Sequence, residues 1–447
     1  MQRIEIEDFG PLQKVSLEIK DYMVFIGPQA SGKSTLAKLI YFFSEINKTY
    51  RQTTIPTFAL NYFLFDGDSN LVDLLKNDIR KLFTSIFPTF RNGKISFMYG
   101  VEYRIDINVL NLIEQFQDDI TISNGFKEDV EYIEETLNTF YKNKKNSSKD
   151  RNLSIEVIAK LIDNLILEQA RRNFIKNDLK LVNTFIPAGR SILPLLSNSV
   201  SLVESNSLDY FNTEFIKLTN TIRRNFLASP NYSKLFGMTA KINSSTNDSD
   251  VFLLSNKVSR QIMRGDFQVG NGGDEIVHYS NGFGYAIPLK YTSSGQQEAS
   301  WLINTLNYLL TESRSSEGSS YNTIIEEPEA HLFPEAQRDI TYLITILANS
   351  KHSQTIITTH SPYVLAALNN LLKAHDVGQI YRERVSNIVD SLLWVNSKRL
   401  FVGYLDEGKI IEILDQETNL ISHDLLDQVS NDIMNSFDDL LEIQYDE

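Results

Sequence analysis

Apolar and polar positions alternate from the first residues of the chain. Ile4, Ile6 and Phe9, then Val15, Leu17 and Ile19, mark two extended runs that lead into Tyr22-Met23-Val24-Phe25-Ile26, a short apolar, β-prone stretch. A period of two over residues 2–19 predicts two antiparallel strands feeding a third. Leu36 to Phe43 has helical spacing, and so has the run Leu71, Leu74, Leu75, Ile79, Leu82, Ile86. Between these two runs, Arg51 to Asp68 is aromatic and irregular. Lys94–Met98 and Tyr103–Ile107 form a further strand pair that turns at Tyr99-Gly100. These elements make a first lobe, residues 1–108.

The pattern then becomes mainly helical. Val109 to Tyr141 reads as helix with a break near Asn124-Gly125, and Ile155 to Asp178 as a long amphipathic helix. Lys142 to Arg151 (KNKKNSSKDR) and Ser244 to Asp250 (SSTNDSD) read as loops. Leu181 to Arg190 is a strand ending in a Pro-Ala-Gly turn with Arg190 at its tip, and Leu202 to Leu235 is helical again. Residues 109–265 are therefore expected to form a mainly helical insert. The third part, 266–447, opens with a hairpin over Phe267–Tyr291, because Asn281-Gly282 separates two alternating runs. A helix over Ala299–Leu310, strands at Tyr321–Glu326 and Gln354–Thr359, a meander over Arg399–Ile413 and an acidic helix over Asp424–Ile443 complete the reading.

Composition narrows the class. With 447 residues, 42% of them hydrophobic, the chain can bury a large core. A net charge of −14 makes generic nucleic-acid binding a poor default. The absence of cysteine excludes disulfides and thiolate metal sites and suits a reducing compartment. No apolar stretch reaches membrane-spanning length, and Glu5, Glu7 and Asp8 stand where a signal peptide would be apolar. A soluble, cytoplasmic protein with no membrane partner is expected.

Three short stretches carry chemistry. Gly27-Pro28-Gln29-Ala30-Ser31-Gly32-Lys33-Ser34-Thr35 fits the phosphate-loop pattern and lies between a strand and a helix, the context the motif needs. The glycines let successive N–H groups turn toward a triphosphate, and the helix start adds its positive end. Lys33 would reach the β- and γ-phosphates of ATP, and Ser34 would bind Mg²⁺. Second, the strand ending in Glu326-Glu327-Pro328-Glu329 offers paired carboxylates. It is expected beside the loop strand, with Glu326 on the metal and Glu327 polarising the attacking water. Third, Thr358-Thr359-His360-Ser361-Pro362 places His360 at a strand's carboxyl end, within reach of the γ-phosphate or the water. Ser293-Ser294-Gly295-Gln296-Gln297 alone is only a turn leading into a helix cap.

The ordered set GPQASGKST, TSSGQQE, IIEEPEAHLFP and TTHSPYVL resembles the ABC-type ATPase module, which covers residues 1–45 and roughly 285–370. Within it the chain is similar to the SMC and RecF-like branch. It is most similar to the ATPase part of OLD-family (overcoming lysogenization defect) proteins and to stand-alone ATPases of Septu-like, PARIS-like and retron-associated antiphage systems. The resemblance implies an α/β ABC-type P-loop ATPase head, a mixed sheet with flanking helices and an antiparallel β lobe, carrying the helical insert. It also implies a homodimer or higher homo-oligomer through ATP-bridged heads, in which Ser294, Gly295 and Gln296 of one chain meet the nucleotide of another. The expected role is the ATPase subunit, sensor or scaffold, of a defence complex that controls a separate effector, a nuclease or toxin. Two alternatives stand beside it. One is a DNA-repair or DNA-end-binding ATPase using Lys142–Arg151, Arg171, Arg172, Arg223 and Arg224; the other is a transporter ATPase subunit. The chain departs from the family in having Glu326 where most ABC proteins have Asp, and it shows no Toprim carboxylate set and no long heptad run.

Overall fold

Five consecutive buried side chains explain why the stretch Tyr22–Ile26 has no polar face. In the computed structural model, strands β1 (Gln2–Phe9) and β2 (Leu12–Ile19) pair antiparallel, with Ile4 opposite Leu17 and Ile6 opposite Val15. Strand β3 (Tyr22–Ile26) comes next and is covered on both sides: Met23 and Phe25 enter one core, Tyr22, Val24 and Ile26 the other. The structure describes residues 2–64, 70–114, 119–146, 180–190, 208–228, 246–270, 273–280, 283–315, 319–350 and 353–422, with Met434, Asn435, Phe437 and Asp438 beyond them. The helix expected over Ile155–Asp178 and most of the acidic run Asp424–Ile443 lie outside these residues.

Helix α1 (Lys33–Thr49) leads through a π-helical turn, Tyr50–Thr54, into α2 (Ile55–Leu64). Residues 51–68, expected to be irregular, are thus helical over their described part. Pro56 has no N–H and its ring crowds the carbonyl four residues back. The wider turn before it, closed by Ile55 N–H onto Tyr50 O, makes room for that ring. Helix α3 (Leu71–Ile86) is capped by Asn70, whose Oδ1 accepts from Val72 N at 2.9 Å. Strands β4 (Lys94–Met98) and β5 (Arg104–Asn108), helix α4 (Val109–Glu114), strand β6 (Ile120–Ile122) and helix α5 (Asn124–Asn146) come after it. Strand β6 interrupts the helix expected over 109–141. Ile120 and Ile122 are buried, and the adjoining Asp119 is clamped by Arg80 through Nε at 2.5 Å and Nη2 at 2.9 Å.

The remaining elements are β7 (Lys180–Ile186), α6 (Tyr210–Ala228), α7 (Thr246–Met263), β8 (Asp266–Gly270), β9 (Gly273–Ser280), β10 (Phe283–Pro288), α8 (Ser294–Ser315), β11 (Ser319–Glu326), α9 (Pro334–Ala348), β12 (Ser353–Thr359), α10 (Pro362–Gly378), β13 (Leu400–Asp406) and β14 (Lys409–Glu412). Helices α5 and α7 take in residues 142–146 and 246–250, so the two stretches expected as loops are helical over their described part. The hairpin pairs Ser280 with Phe283 as expected and β8 adds a third strand, while Asn281-Gly282 lies outside the described residues.

The main sheet runs β6-β5-β4-β1-β2-β14-β13-β3-β12-β11-β7. From β13 to β7 its strands are parallel, while β1, β2, β4, β5 and β6 form an antiparallel lobe. This is a mixed α/β sheet carrying an antiparallel β lobe, as expected. Two points differ from expectation. Strands β6 and β7 come from the range 109–265 yet pair in the main sheet, so the helical insert is not separate from it. The acidic strand β11 is not beside β3 either: the unit β11–α9–β12 inserts β12 between them.

Helices α1 and α3 cover one face with an aromatic core, in which Phe9 stacks on Phe90 at 4.6 Å and meets Phe83 and Phe87 edge-on. Each such pair adds about 1 kcal/mol beyond area burial. Helices α8, α9 and α10 cover the other face. A polar bridge fixes α1 under the parallel strands. Ser44 Oγ donates to Asn183 Oδ1 at 2.8 Å, Asn183 Nδ2 to Glu45 at 2.9 Å, and Asn322 Nδ2 to Ser44 Oγ at 2.7 Å. Among the described residues, no helix is long and apolar enough to cross a membrane.

Candidate active site

Parallel pairing brings the carboxyl ends of β3, β12, β11 and β7 to one edge, where ligands bind in open α/β sheets. The turn after β3 is the phosphate loop. Gly27 and Gly32 have φ of 152° and 104°, and both are closely packed: a Cβ on Gly27 would lie 2.0 Å from Leu405 O, and one on Gly32 2.6 Å from Leu12 Cδ2. Pro28, Gln29 and Ala30 are exposed, Ser31 and Lys33 buried, and Ser34 and Thr35 half-buried. The Lys33 ammonium folds back on its own loop, donating to Gly27 O at 2.9 Å, Pro28 O at 2.6 Å and Ser31 Oγ at 3.4 Å. Burial lowers its pKa, while the carboxylates of Glu327 and Glu329 act in the opposite sense. The first turn of α1 has no side-chain cap and no acidic residue, so its N–H groups have only Gly32's geometry to orient them.

The turn after β11 carries the carboxylates. Glu326 is buried: its Oε2 accepts from Ala188 N at 3.4 Å, and its Oε1 has no hydrogen-bond partner. Glu327 adopts a left-handed φ of 43°, its N–H bonded to Thr358 O at 2.9 Å. Its Oε1 lies 3.4 Å from His360 Nε2, and both side chains are about a third exposed, at 38% and 31%. Glu329, which sequence reasoning did not single out, is the anchor between the two strands. Its Oε1 accepts from Thr359 Oγ1 at 2.6 Å and from His360 N at 2.7 Å. Ser361 caps α10 by accepting from Tyr363 N and Val364 N.

Arg190, expected at the tip of a turn, is 1% exposed. Its Nη1 donates to Pro187 O at 2.8 Å and Glu326 O at 2.7 Å, its Nη2 to Glu327 O at 2.9 Å, and its Nε stands 3.6 Å from Glu298 Oε2. Strand β7, pairing with β11, delivers it there. The sequence signal that could have found it is the apolar strand before it, which points to a sheet position rather than a loop.

The Ser-Ser-Gly turn lies at the start of α8. Ser294 is exposed, and Gly295 packs so closely that a Cβ would lie 2.8 Å from His331 O. Gln296, expected to face nucleotide, turns inward: Nε2 donates to Met263 O at 2.7 Å and Oε1 accepts from Ser293 N and Oγ. Its amide closes the turn and braces α7. Within one chain, none of these bonds reaches the phosphate loop. Of the expected basic face, Arg223 is taken up by Asp274 at 2.6 Å. Arg171 and Arg172 lie outside the described residues.

Mg²⁺ fits this donor set. Among the described residues no cluster of three His, Asp or Glu could cage a metal, and Mg²⁺ needs none, since it takes one or two protein oxygens plus phosphates and water. Glu326 Oε1, buried and without a hydrogen-bond partner, is a carboxylate oxygen with lone pairs free to bind a cation.

A phosphate loop ahead of a helix, with paired carboxylates and a histidine on neighbouring parallel strands, defines a P-loop ATPase. Residues 1–365 match the family model described as AAA ATPase domain, and the chain belongs to that family. No curated protein matches it in sequence. Among solved structures it is similar to an SMC head bound to the C-winged-helix domain of ScpA (13% identity, 93% of this chain and 98% of that one, TM-score 0.39). A dimeric ATP-binding cassette in a post-hydrolysis state with ADP and Pi matches at 12% identity over 92% and 97%, TM-score 0.30. The recombination mediator RecF matches at 11% over 92% and 97%, TM-score 0.28. These likenesses are distant; family membership rests on the sequence match and the fold on the strand order.

Proposed function

We propose that this chain binds ATP on the edge formed by β3, β12 and β11 and hydrolyses it. The observation that carries the reading is the Glu327–His360 pair, 3.4 Å apart on the same edge as Lys33. On nucleotide binding, Lys33 would leave the carbonyls of Gly27 and Pro28 for the β- and γ-phosphates. Ser34 and Glu326 would hold Mg²⁺, which when bound offsets charge on the phosphate oxygens. Glu327 accepts the proton of the attacking water as its oxygen bonds to the γ-phosphorus. The bond to the bridging oxygen breaks, and its electron pair leaves with ADP. His360, steadied by Glu327 and by the Glu329 bond to its N–H, orients the water or the γ-phosphate.

The finer reading has two copies pairing head to tail, each nucleotide held by the phosphate loop of one copy and by Ser294 and Gly295 of the other. The exposure of Ser294 supports it; within one chain the Gln296 amide is engaged by Met263 O and Ser293. In this reading ATP is an interface component and hydrolysis loosens the pair. The chain then acts as sensor or scaffold of an antiphage defence complex, controlling a separate nuclease or toxin, a role supported by its sequence resemblance. The test is native mass of the protein purified with its genomic neighbour, with ATP, for wild type and Glu327→Gln. Dimers or larger assemblies carrying the neighbour, made more stable by Glu327→Gln, are expected. A monomer indifferent to ATP and to the substitution overturns the composite site.

A further inference from the structure

The structure assigns Arg190 as the positioning residue of the acidic turn, with Glu298 as the group through which the start of α8 acts on it. This inference rests on the ATPase reading above and deepens it by naming how the Ser-Ser-Gly turn reaches Glu327 within one chain.

The guanidinium bonds two consecutive peptide carbonyls, those of Glu326 and Glu327, at 2.7 and 2.9 Å. It therefore fixes the peptide planes on the C-terminal side of the metal-side and water-side carboxylates. Glu327 stands at φ 43°, a conformation L-residues avoid, and it persists only where neighbours over-determine it. Thr358 O holds its N–H from one side, and Arg190 holds its C=O from the other. Together they set the direction of its Cα–Cβ bond and so the reach of its carboxylate toward His360. A planar fork is needed to span both carbonyls and Pro187 O at once; an ammonium could not.

A buried guanidinium requires a counter-charge. Glu298 supplies one, and its side chain is 4% exposed. The other carboxylates near Arg190, those of Glu326, Glu327 and Glu329, all belong to the acidic turn itself. Glu298 belongs to α8, in the first turns of the helix that Ser294 begins, and is the outside connection. The contact is incomplete. Nε and Oε2 are both buried and without hydrogen bonds, and their separation of 3.6 Å exceeds an ordinary N–H···O distance by about 0.6 Å. A small displacement of α8 would make or widen it. The same helix has a second foothold, since Gly295 leaves no room for a side chain against His331 O. The start of α8 thus touches the acidic turn directly at His331 and reaches its other end through Arg190. A load on Ser294 and Gly295 passes to Glu327 through Arg190 on one side and through His331 on the other.

The test is steady-state ATP hydrolysis with separate measurement of ATP affinity, using a fluorescent ATP analogue, on wild type, Arg190→Lys, Arg190→Ala and Glu298→Gln. Arg190→Lys is expected to lower kcat about 100-fold, as an ångström of misplacement does, with ATP affinity within about threefold of wild type. Glu298→Gln, isosteric, should lower kcat about tenfold by the same route and make it insensitive to pairing of two copies. Millimolar guanidinium should restore part of the Arg190→Ala rate and leave Glu327→Gln silent. A kcat for Arg190→Lys or Glu298→Gln equal to wild type overturns the inference. So does equal loss of affinity and rate, which a role confined to folding would give. Where the Arg190 variants do not fold, Glu298→Gln decides alone. A wild type that binds ATP without turnover overturns the ATPase reading and this inference with it, whereas wild-type turnover with an unaffected Arg190→Lys overturns only the inference.

Discussion

The two turns that meet on this edge are held in opposite ways. The phosphate loop largely holds itself: Lys33 bonds the carbonyls of Gly27 and Pro28 a few residues away. The acidic turn is held from outside, by Thr358, Arg190, Thr359 and the start of α8, each from a different part of the chain or a different atom of one strand. Both contain residues at positive φ that are not glycine, Ala30 in one and Glu327 and His331 in the other. The difference separates two kinds of failure. Removing a phosphate-facing group of the phosphate loop should weaken ligand binding and leave the fold intact, whereas a change around the acidic turn should spare binding and slow the chemical step.

The largest expected effect tests the first half of that statement. Lys33→Met keeps the buried stem and removes the ammonium, so the γ-phosphate loses its positive partner. Hydrolysis should fall about 10³-fold, equivalent to ~4 kcal/mol of transition-state stabilisation, with ATP affinity falling as well. Unfolding free energy should fall by no more than about 2 kcal/mol, the cost of leaving the carbonyls of Gly27 and Pro28 without their donor, since Pro28 is exposed to water. A large loss of stability, read by urea denaturation, would break the comparison by showing that Lys33 also carries the fold.

Gly27→Ala probes where the self-contained loop does lean on the rest of the molecule. The new Cβ would meet Leu405 O at 2.0 Å at a φ that disfavours any side chain. Strand β13 is hydrogen-bonded to β3 and cannot step aside cheaply. A loss of about 3 kcal/mol in unfolding free energy is expected from strain and overpacking together. A shift below about 1 kcal/mol would mean that β13 yields at Leu405, and the loop would then be less tied to the sheet than its packing implies.

The same contrast explains how much of the molecule is legible in its sequence. GPQASGKST is contiguous, so its residue types and spacing are sufficient to announce both the turn and the helix after it. The strands announce themselves because their burial follows sheet periodicity, and β3 is fully apolar because both its faces are covered. Strand order is harder. Nothing in Tyr321–Glu326 or Gln354–Thr359 says which lies next to β3, and pairing energies, rather than local composition, place β12 there. Arg190 cannot be assigned from a Pro-Ala-Gly-Arg turn alone. Its burial depends on β7 pairing with β11, whose sequence lies more than a hundred residues away. Gln296 escapes the sequence for a related reason: its partner, Met263 O, is a backbone atom and leaves no trace there. The helix through Pro56 is hidden because a π-turn removes the clash that proline ordinarily brings.

The smallest effect sharpens the comparison most, because it concerns a residue at which the phosphate loop is strained on its own account. Ala30 is exposed and sits at φ 60°. Its exposed side chain gives other elements little to hold it by, unlike Glu327 between Arg190 and Thr358, so the cost of the left-handed backbone is borne by the loop. Glycine adopts that conformation freely, while its unfolded chain is more mobile, and these two terms oppose each other. The first is about 1 kcal/mol and the second somewhat smaller, so Ala30→Gly should stabilise the fold by a few tenths of a kcal/mol. The corresponding substitution in the other turn, Glu327→Gly, would relieve similar strain but remove the carboxylate, so its rate cannot be compared. The informative reading is therefore on Ala30→Gly alone. Its ATP affinity should rise no more than about twofold with kcat unchanged, since the loop's geometry is retained and only its strain is lost. A fall in kcat would mean that Ala30 is pressed into its conformation to set the position of Ser31 and Gly32, and that the phosphate loop, like the acidic turn, uses strain to aim its groups.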